Sequence, residues 1–168
     1  MAFVVEDGTG VTDANSYVSV AEFKSYADDW GWDYSAKTDG QIQTYLVQGS
    51  FFVDAQGGFV GKPATTTQGL LFPRQNAYDY NCVEITGVPK GVKEATYHSA
   101  YYVLGGSSLF VNQVGRNIVK EKVDVIEVQY SDKTGYDSNQ VTLPAVTNAL
   151  YPYKINSFVT NSYGVIRV

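Results

Sequence analysis

Two helix-capping boxes constrain the fold of this chain more than any other feature. Ser19 and Glu22 form one S-x-x-E pattern, and Thr38 and Gln41 form a second box of the same type. The side chains of such a box satisfy backbone N–H groups that the start of a helix leaves free. Apolar residues follow each box at helical spacing. The sequence therefore predicts two amphipathic helices, the first ending at Gly31 and the second at Gly57-Gly58.

Two more helices are expected further along the chain. One begins at Val88-Pro89, with proline in its favoured first turn, and ends at Gly105-Gly106. Its apolar stripe contains small residues four positions apart, so another helix can approach closely; the stripe comprises Val92, Ala95, Thr96, Ser99 and Val103. A short fourth helix is predicted to be capped by Thr142 and to turn three side chains inward, namely Leu143, Val146 and Leu150.

The remaining segments predict little regular structure. Residues 1–18 are rich in turn formers and are interpreted as an ordered arm, and residues 59–87 as a long loop held to the core by Leu70, Leu71 and Phe72. Residues 117–131 are rich in β-branched residues. Their alternating apolar residues fall at odd positions before Asp124 and at even positions after it, which predicts two short strands or one bulged strand. The expected fold is mainly α with a small β-hairpin (α+β): a small helical bundle with an N-terminal arm.

The division of the chain is predicted to fall at residue 150. Residues 1–150 are expected to form the core domain, and residues 151–168 an extended C-terminal tail. The tail has no acidic residue and alternates apolar with polar side chains, which suits addition to a neighbour's sheet or groove. The alternative is a last strand of the domain's own sheet. The candidate contacts to another subunit or partner are Tyr151, Tyr153, Ile155, Phe158, Val159, Tyr163, Val165 and Ile166.

Charge and tyrosine content bear on the kind of partner. The chain has 12 basic and 17 acidic residues, a net charge of −5. Residues 1–60 hold nine acids and two bases, whereas residues 61–168 hold eight acids and ten bases. Neighbouring subunits could attract through this asymmetry, or it could reflect two solvated faces. The fourteen tyrosines suit either buried contacts with partners or half-buried positions in the domain itself.

Motifs that carry chemistry are scarce. His98 is the single histidine and is expected off the core face, so no two-histidine metal site is possible. Asp28, Asp29 and Asp33 form the densest carboxylate cluster, which is interpreted as solvated or as facing a basic partner. The single cysteine excludes an intrachain disulfide. No apolar run approaches a membrane span and no signal peptide is recognised. No enzyme activity, cofactor or metal is expected.

A basic set could contact nucleic acid, although no aromatic residue lies between its members to stack on bases. It consists of Arg116, Lys120 and Lys122. An acidic chain is a poor non-specific binder of nucleic acid, because phosphate affinity comes mainly from Lys and Arg.

Four stretches in order resemble one phage protein family. The opening VVEDGTGVTDANSYVSVAEF is similar to its E-D-G-T-G arm and A-N-S-Y-V-S segment. LLFPR, residues 70–74, resembles its L-x-W-P-R element with Phe72 in place of Trp. VPKGVKEA, residues 88–95, resembles its V-P-x-x-V-K-E-A helix start. KEKVDVIEVQY, residues 120–130, resembles its hairpin, with Val123-Asp124 in place of Val-Gly. The family is that of head-tail connector adaptors of long-tailed phages, also labelled DnaT-like single-stranded DNA-binding protein.

The resemblance implies a structural role in the virion neck. It implies a ring of twelve copies beneath the portal protein, made in the cytoplasm of the bacterial host. The expected partners are other copies of the chain, the portal, the next neck or tail protein (a stopper or tail terminator) and double-stranded DNA passing through the lumen, with no membrane. Asp28, Asp29 and Asp33 would then be candidate lumen acids. The alternative is an accessory protein of phage replication that binds single-stranded DNA.

Overall fold

The computed structural model describes residues 2–110, 120–123, 126–129 and 141–155. Within them lie four α-helices and a short 3-10 helix: α1 Val20–Trp30, α2 Asp39–Ala55, α3 Lys90–Leu104, α4 Pro144–Leu150 and the 3-10 helix Tyr151–Tyr153. Two antiparallel two-stranded sheets pair β1 Lys62–Pro63 with β2 Arg74–Gln75, and β3 Lys120–Val123 with β4 Ile126–Gln129. The expected mainly α fold with a small β-hairpin is confirmed.

Both predicted capping boxes are present. The Ser19 hydroxyl accepts from the backbone N–H of Glu22, and the Glu22 carboxylate accepts from the N–H of Ser19 at 2.7 Å. Thr38 and Gln41 make the same reciprocal pair at the start of α2. Gly31 ends α1 in the left-handed conformation, with φ at 66°, which glycine adopts without steric cost.

The core is organised by the packing of α2 on α3. A Cβ atom at Gly49 would lie 3.0 Å from the carbonyl oxygen of Thr96 and 3.1 Å from the amide nitrogen of Ala100. The two helix backbones therefore approach closely where the sequence places small residues, as expected of the stripe through Ala95 and Ser99. At the start of α3, Gly91 similarly faces the backbone of Ala149.

The helix-by-helix expectations need two corrections. Leu143, not Thr142, precedes α4 as its N-cap, because the ring of Pro144 restricts the residue before it to extended backbone. In α3, Val103 is only half-buried, while Tyr97, Ala100 and Leu104 are buried. Since α3 packs against both α2 and α4, it buries more than one face, and a single stripe could not describe it.

The N-terminal arm is ordered by one buried carboxylate. Glu6 accepts hydrogen bonds from the backbone N–H groups of Gly8, Gly10 and Val11, each at 2.9 Å. The backbone N–H of Glu6 donates to the carbonyl of Ser16 at 2.8 Å. The E-D-G-T-G segment is therefore a loop wrapped around its own glutamate, which explains an ordered arm with little regular structure.

The long loop is attached to α2 through Asp54. The Tyr17 hydroxyl and the backbone N–H of Leu71 both donate to the Asp54 carboxylate. The Arg74 guanidinium donates to several carbonyl groups of the loop, among them Val60 at 2.6 Å. Leu70 and Phe72 are buried, so the predicted attachment of residues 59–87 to the core is confirmed.

The hairpin and the first residues of the tail complete the described chain. β3 ends at Val123 and β4 begins at Ile126, which agrees with the expected break near Asp124. The tail does not start as an extended segment, because Tyr151–Tyr153 form a 3-10 helix that packs on the body. Lys154 then forms an antiparallel bridge with Phe59. None of the described helices is both long and apolar enough to traverse a lipid bilayer.

Candidate interaction surface

Five aromatic rings from α1, the turn after it and α3 form one partly exposed cluster. We call it the aromatic surface; its members are Tyr26, Trp30, Trp32, His98 and Tyr101. Trp32 stacks on Tyr101 with ring centroids 4.2 Å apart and planes 9° apart, and Trp30 packs beside Tyr26 at 5.7 Å. The side chain of Trp30 is 56% exposed. Such a concentration of tryptophan and tyrosine on a surface is typical of interaction sites.

The local sequence explains how the two tryptophans meet. Gly31 reverses the chain in the left-handed conformation, and the backbone N–H of Trp32 then donates to the carbonyl of Ala27 at 2.8 Å. This bond folds Trp32 back along α1 towards α3. Tyr97 is buried and stacks on Tyr26 at 4.4 Å, so the cluster is continuous with the core.

His98 lies at the centre of the aromatic surface. Its ring packs edge-on against Trp30 at 5.2 Å and Trp32 at 5.0 Å, and its Nε2 is 3.3 Å from the Tyr26 hydroxyl. Burial lowers the pKa of His98 below its ordinary value of 6.5, although the nearby Glu94 carboxylate opposes the shift. The shift in the pKa favours the uncharged imidazole at neutral pH. The residue is off the main core face, as expected, but it is part of a packed cluster.

Carboxylates lie next to the aromatic surface. Asp28, Asp29 and Asp33 are exposed at the end of α1 and in the following turn. Asp28 accepts from the Tyr34 hydroxyl at 2.9 Å, and Asp33 accepts from the backbone N–H of Ser35, which lowers the pKa of Asp33. None of the three forms an ion pair with another described residue. Of the three sequence-predicted acids, Asp28 therefore contacts an aromatic side chain directly, while Asp29 lies three residues after Tyr26 on α1 and Asp33 directly follows Trp32 in the chain.

A groove continues from the aromatic surface between α3 and the start of α4. It has a volume of about 380 Å³. His98 and Tyr101 contribute to both the groove and the aromatic surface; the other residues that line the groove are Tyr102, Gly105, Ser107, Leu143, Pro144 and Ala145. A partner segment could contact the rings and the groove together.

The predicted tail contacts divide into three groups. Tyr151 and Ile155 are exposed and could contact a partner. Tyr153 is half-buried, and its hydroxyl accepts from the backbone N–H of Gly91 at 3.4 Å, so it packs within this chain. The others lie outside the described residues: Phe158, Val159, Tyr163, Val165 and Ile166.

The basic candidates are only partly placed. Lys120 and Lys122 are in β3, where the backbone alone is described, and Arg116 lies outside the described residues. In the described part of the chain, no three His, Cys, Asp or Glu side chains are grouped so as to hold a metal ion. Cys82 is exposed and unpaired.

The sequence patterns do not identify the aromatic surface as a unit. Trp30 recurs at helical spacing with Val20, Phe23 and Ala27, which predicts a place on the core face of the first helix, yet it is among the exposed large apolar residues described. The available signal was the Trp30-Gly31-Trp32 motif, since a glycine that ends a helix turns the second tryptophan back towards the first. The pairing with His98 and Tyr101 depends on how α1 lies against α3, which no local pattern encodes.

The fold and this surface define a small, mainly helical α+β protein that carries an aromatic surface next to acidic residues. Comparison with known families matches residues 1–167 to the family described as "Putative DnaT-like ssDNA binding protein", and the chain belongs to that family. Neither the curated proteins nor the solved structures that were searched gave a match.

Proposed function

We propose that the protein is a non-enzymatic structural subunit of a phage virion: a head-to-tail adaptor that forms a ring beneath the portal. The observation that carries this proposal is the aromatic surface with its adjacent carboxylates. It has the composition of a protein-docking site, and the acids would repel the phosphates of a nucleic acid. The order of the arm, the LLFPR element, the VPKGVKEA helix start and the hairpin along the chain supports the same assignment.

The aromatic surface also bears on the role of Asp28, Asp29 and Asp33. As lumen acids they would line the path of the genome. Exposed tryptophan beside them favours a contact with protein instead, because bases and sugars would adhere to an aromatic wall. The adaptor proposal does not depend on these acids facing the lumen.

Cryo-electron microscopy of the virion neck tests the proposal. We expect a ring of this chain between the portal and the next neck or tail protein. A phage with a stop codon in this gene should then accumulate DNA-filled heads that lack attached tails. Necks that contain no copy of the chain would contradict the proposal.

The second candidate is a protein that binds single-stranded DNA, which the family description favours. It predicts binding of a fluorescent oligothymidine that weakens steeply with salt, because counterions are released from the DNA. Replacing Lys120 and Lys122 with glutamine should weaken that binding. Lys62→Gln is the control, since Lys62 is an exposed lysine in β1. The adaptor proposal predicts no appreciable binding at physiological salt.

A further inference from the structure

We propose that the aromatic surface receives an arginine-bearing segment of a partner protein. The inference deepens the proposed function, because it specifies the chemistry that a neck partner would present. Trp30 is the exposed ring of this surface, while Tyr26, Trp32, His98 and Tyr101 are half-buried and partly stacked on one another. Asp29 lies three residues after Tyr26 on α1, and Glu94 lies four residues before His98 on α3, so each helix carries a carboxylate next to a ring of the surface. A planar guanidinium both stacks on aromatic faces and forms paired hydrogen bonds with carboxylates.

The electrostatics of the surface favour a cation. Asp29 precedes Trp30 in the chain, and Asp33 follows Trp32. Burial raises the pKa of Tyr26 and lowers that of His98, and the nearby Glu94 carboxylate raises both. Lys90 pairs with Glu94 at 3.3 Å and so offsets part of its charge, whereas Asp29 and Asp33 form no ion pair with another described residue.

A partner is favoured over a second copy by charge. Each copy of this chain carries a net charge of −5, so a second copy would bring its own excess of acids to a surface that already carries exposed carboxylates. Of the three arginines, at positions 74, 116 and 167, the structure describes Arg74, whose half-buried guanidinium donates to loop carbonyls, including that of Gly61 at 2.8 Å. Arg116 and Arg167 lie outside the described residues, so a sister copy is one of the occupants that the test below distinguishes.

The adjoining groove gives the arginine-bearing segment a place to continue. His98 and Tyr101 line both the aromatic surface and the groove, so a backbone that places an arginine on the rings can lie between α3 and α4. We therefore expect a peptide with neighbouring apolar residues to bind more tightly than arginine alone.

Intrinsic fluorescence of the full chain is a direct test. Both tryptophans of the sequence belong to the aromatic surface, so their emission reports on its occupancy. The probe is a peptide with three arginines separated by glycines, and the controls are the same peptide with lysine or with citrulline, the neutral isostere. We expect a saturable change with the arginine peptide, weaker binding of the lysine peptide and none of the citrulline peptide.

Matched variants assign the signal to this surface. Trp30→Ala should weaken binding of the arginine peptide about fivefold, and Asp29→Asn about threefold, with a larger effect at low salt. Binding is then followed by anisotropy of a labelled peptide, because one tryptophan is missing. Phe51→Ala and Asp13→Asn are the controls, since both residues are exposed outside this surface; neither should change affinity.

Four outcomes would overturn the inference. Equal binding of the citrulline peptide, or no binding of the arginine peptide, would remove the role of the guanidinium. A fluorescence change with single-stranded oligonucleotide alone would identify a base-stacking surface. A change with protein concentration that Trp30→Ala abolishes would identify a second copy as the occupant. If virion necks contain the ring and the arginine peptide fails to bind, this inference fails and the proposed function stands. If the arginine peptide binds and virion necks contain no copy of the chain, the proposed function fails and the arginine-binding surface stands.

Discussion

At the scale of single residues, buried and half-buried polar groups hold the loops of this protein in place. The Glu6 carboxylate accepts three backbone N–H groups of the arm. The Asp54 carboxylate accepts from the Tyr17 hydroxyl and from the backbone N–H of Leu71. Burial raises the pKa of Asp54 to about 6, while hydrogen bonds from Tyr17 and Leu71 and the charge of Arg74 oppose the shift. Both groups act on stability, and the pH dependence of unfolding can detect Asp54.

Asp54 should make the protein less stable as the pH rises. Its pKa in the folded state is above the ordinary value of 3.8, so the folded state binds more protons between about pH 4 and 6. The free energy of unfolding is then expected to fall by up to about 3 kcal/mol across that range, from the difference in pKa. Urea unfolding of the wild type and Asp54→Asn at pH 4.5 and 7 measures this. Parallel pH profiles of the two proteins would contradict it.

His98 should act in the opposite direction. Its pKa in the folded state is lowered, so the unfolded state binds the proton more readily and stability is lost as the pH falls through 6.5 and below. Proton NMR of the single imidazole should show a titration midpoint below 6.5. The His98→Phe variant should lose less stability than the wild type between pH 7 and 5. A midpoint at or above 6.5 would show that the ring is not desolvated by Tyr26 and the tryptophans.

Glu6 gives a prediction that does not depend on pH. Its carboxylate accepts three backbone N–H groups, and the amide of glutamine would place a donor against at least one of them. We expect Glu6→Gln to reduce the free energy of unfolding by about 1–3 kcal/mol. Asp7→Asn in the same loop is the control, because Asp7 is exposed. Denaturant curves that coincide for Glu6→Gln and the wild type would contradict this role.

At the scale of elements, the close approach of α2 and α3 sets the position of the core. Gly49 lies against the backbone of Thr96 and Ala100, while Gly40 in the first turn of the same helix has no neighbour within reach of an added Cβ. The two glycines thus differ in packing but share the same helix.

This difference predicts opposite effects of the same substitution. Gly49→Ala should force the helices apart and destabilise the protein by about 1–3 kcal/mol. Gly40→Ala should leave stability unchanged or raise it by up to about 1 kcal/mol, because alanine favours helix. Urea unfolding of both variants measures the contrast. A stable Gly49→Ala protein would mean that α2 and α3 are further apart than described.

At the scale of the whole molecule, the described body closes with the 3-10 helix and the bridge that follows it. Tyr153 reaches the start of α3, and the backbone N–H of Ile155 donates to the carbonyl of Gly58 at 2.8 Å. The described body therefore extends to Ile155, beyond the division predicted at residue 150. The role of residues 156–168 in binding a partner stays a prediction.

Truncation distinguishes the body from the tail. A chain ending at Ile155 should keep the melting temperature of the full chain, because the contacts of Tyr153 and Ile155 are retained. A chain ending at Leu150 should melt about 5 °C lower, since it loses those contacts to Gly91 and Gly58. Differential scanning calorimetry of both proteins measures this. Equal losses in the two truncations would show that residues 156–168 belong to the folded body.

The sequence by itself determined the elements whose signals are local. The capping boxes, each formed by two side chains three residues apart, predict the starts of α1 and α2. The glycines after these helices predict their ends, because glycine readily adopts the left-handed backbone conformation. The hairpin and the loop around Phe72 were likewise foreseen. The helix starts require no knowledge of distant residues, because the groups that bond in each capping box are three residues apart.

Only the tertiary structure decided what the aromatic residues do. Trp30 and His98 are separated by most of two helices and a long loop in the sequence, yet their rings lie 5.2 Å apart. The register of α1 against α3 brings them together, and that register follows from the packing of the whole core. Capping and turn formation act over a few residues, whereas the assembly of a surface depends on contacts between segments distant along the chain.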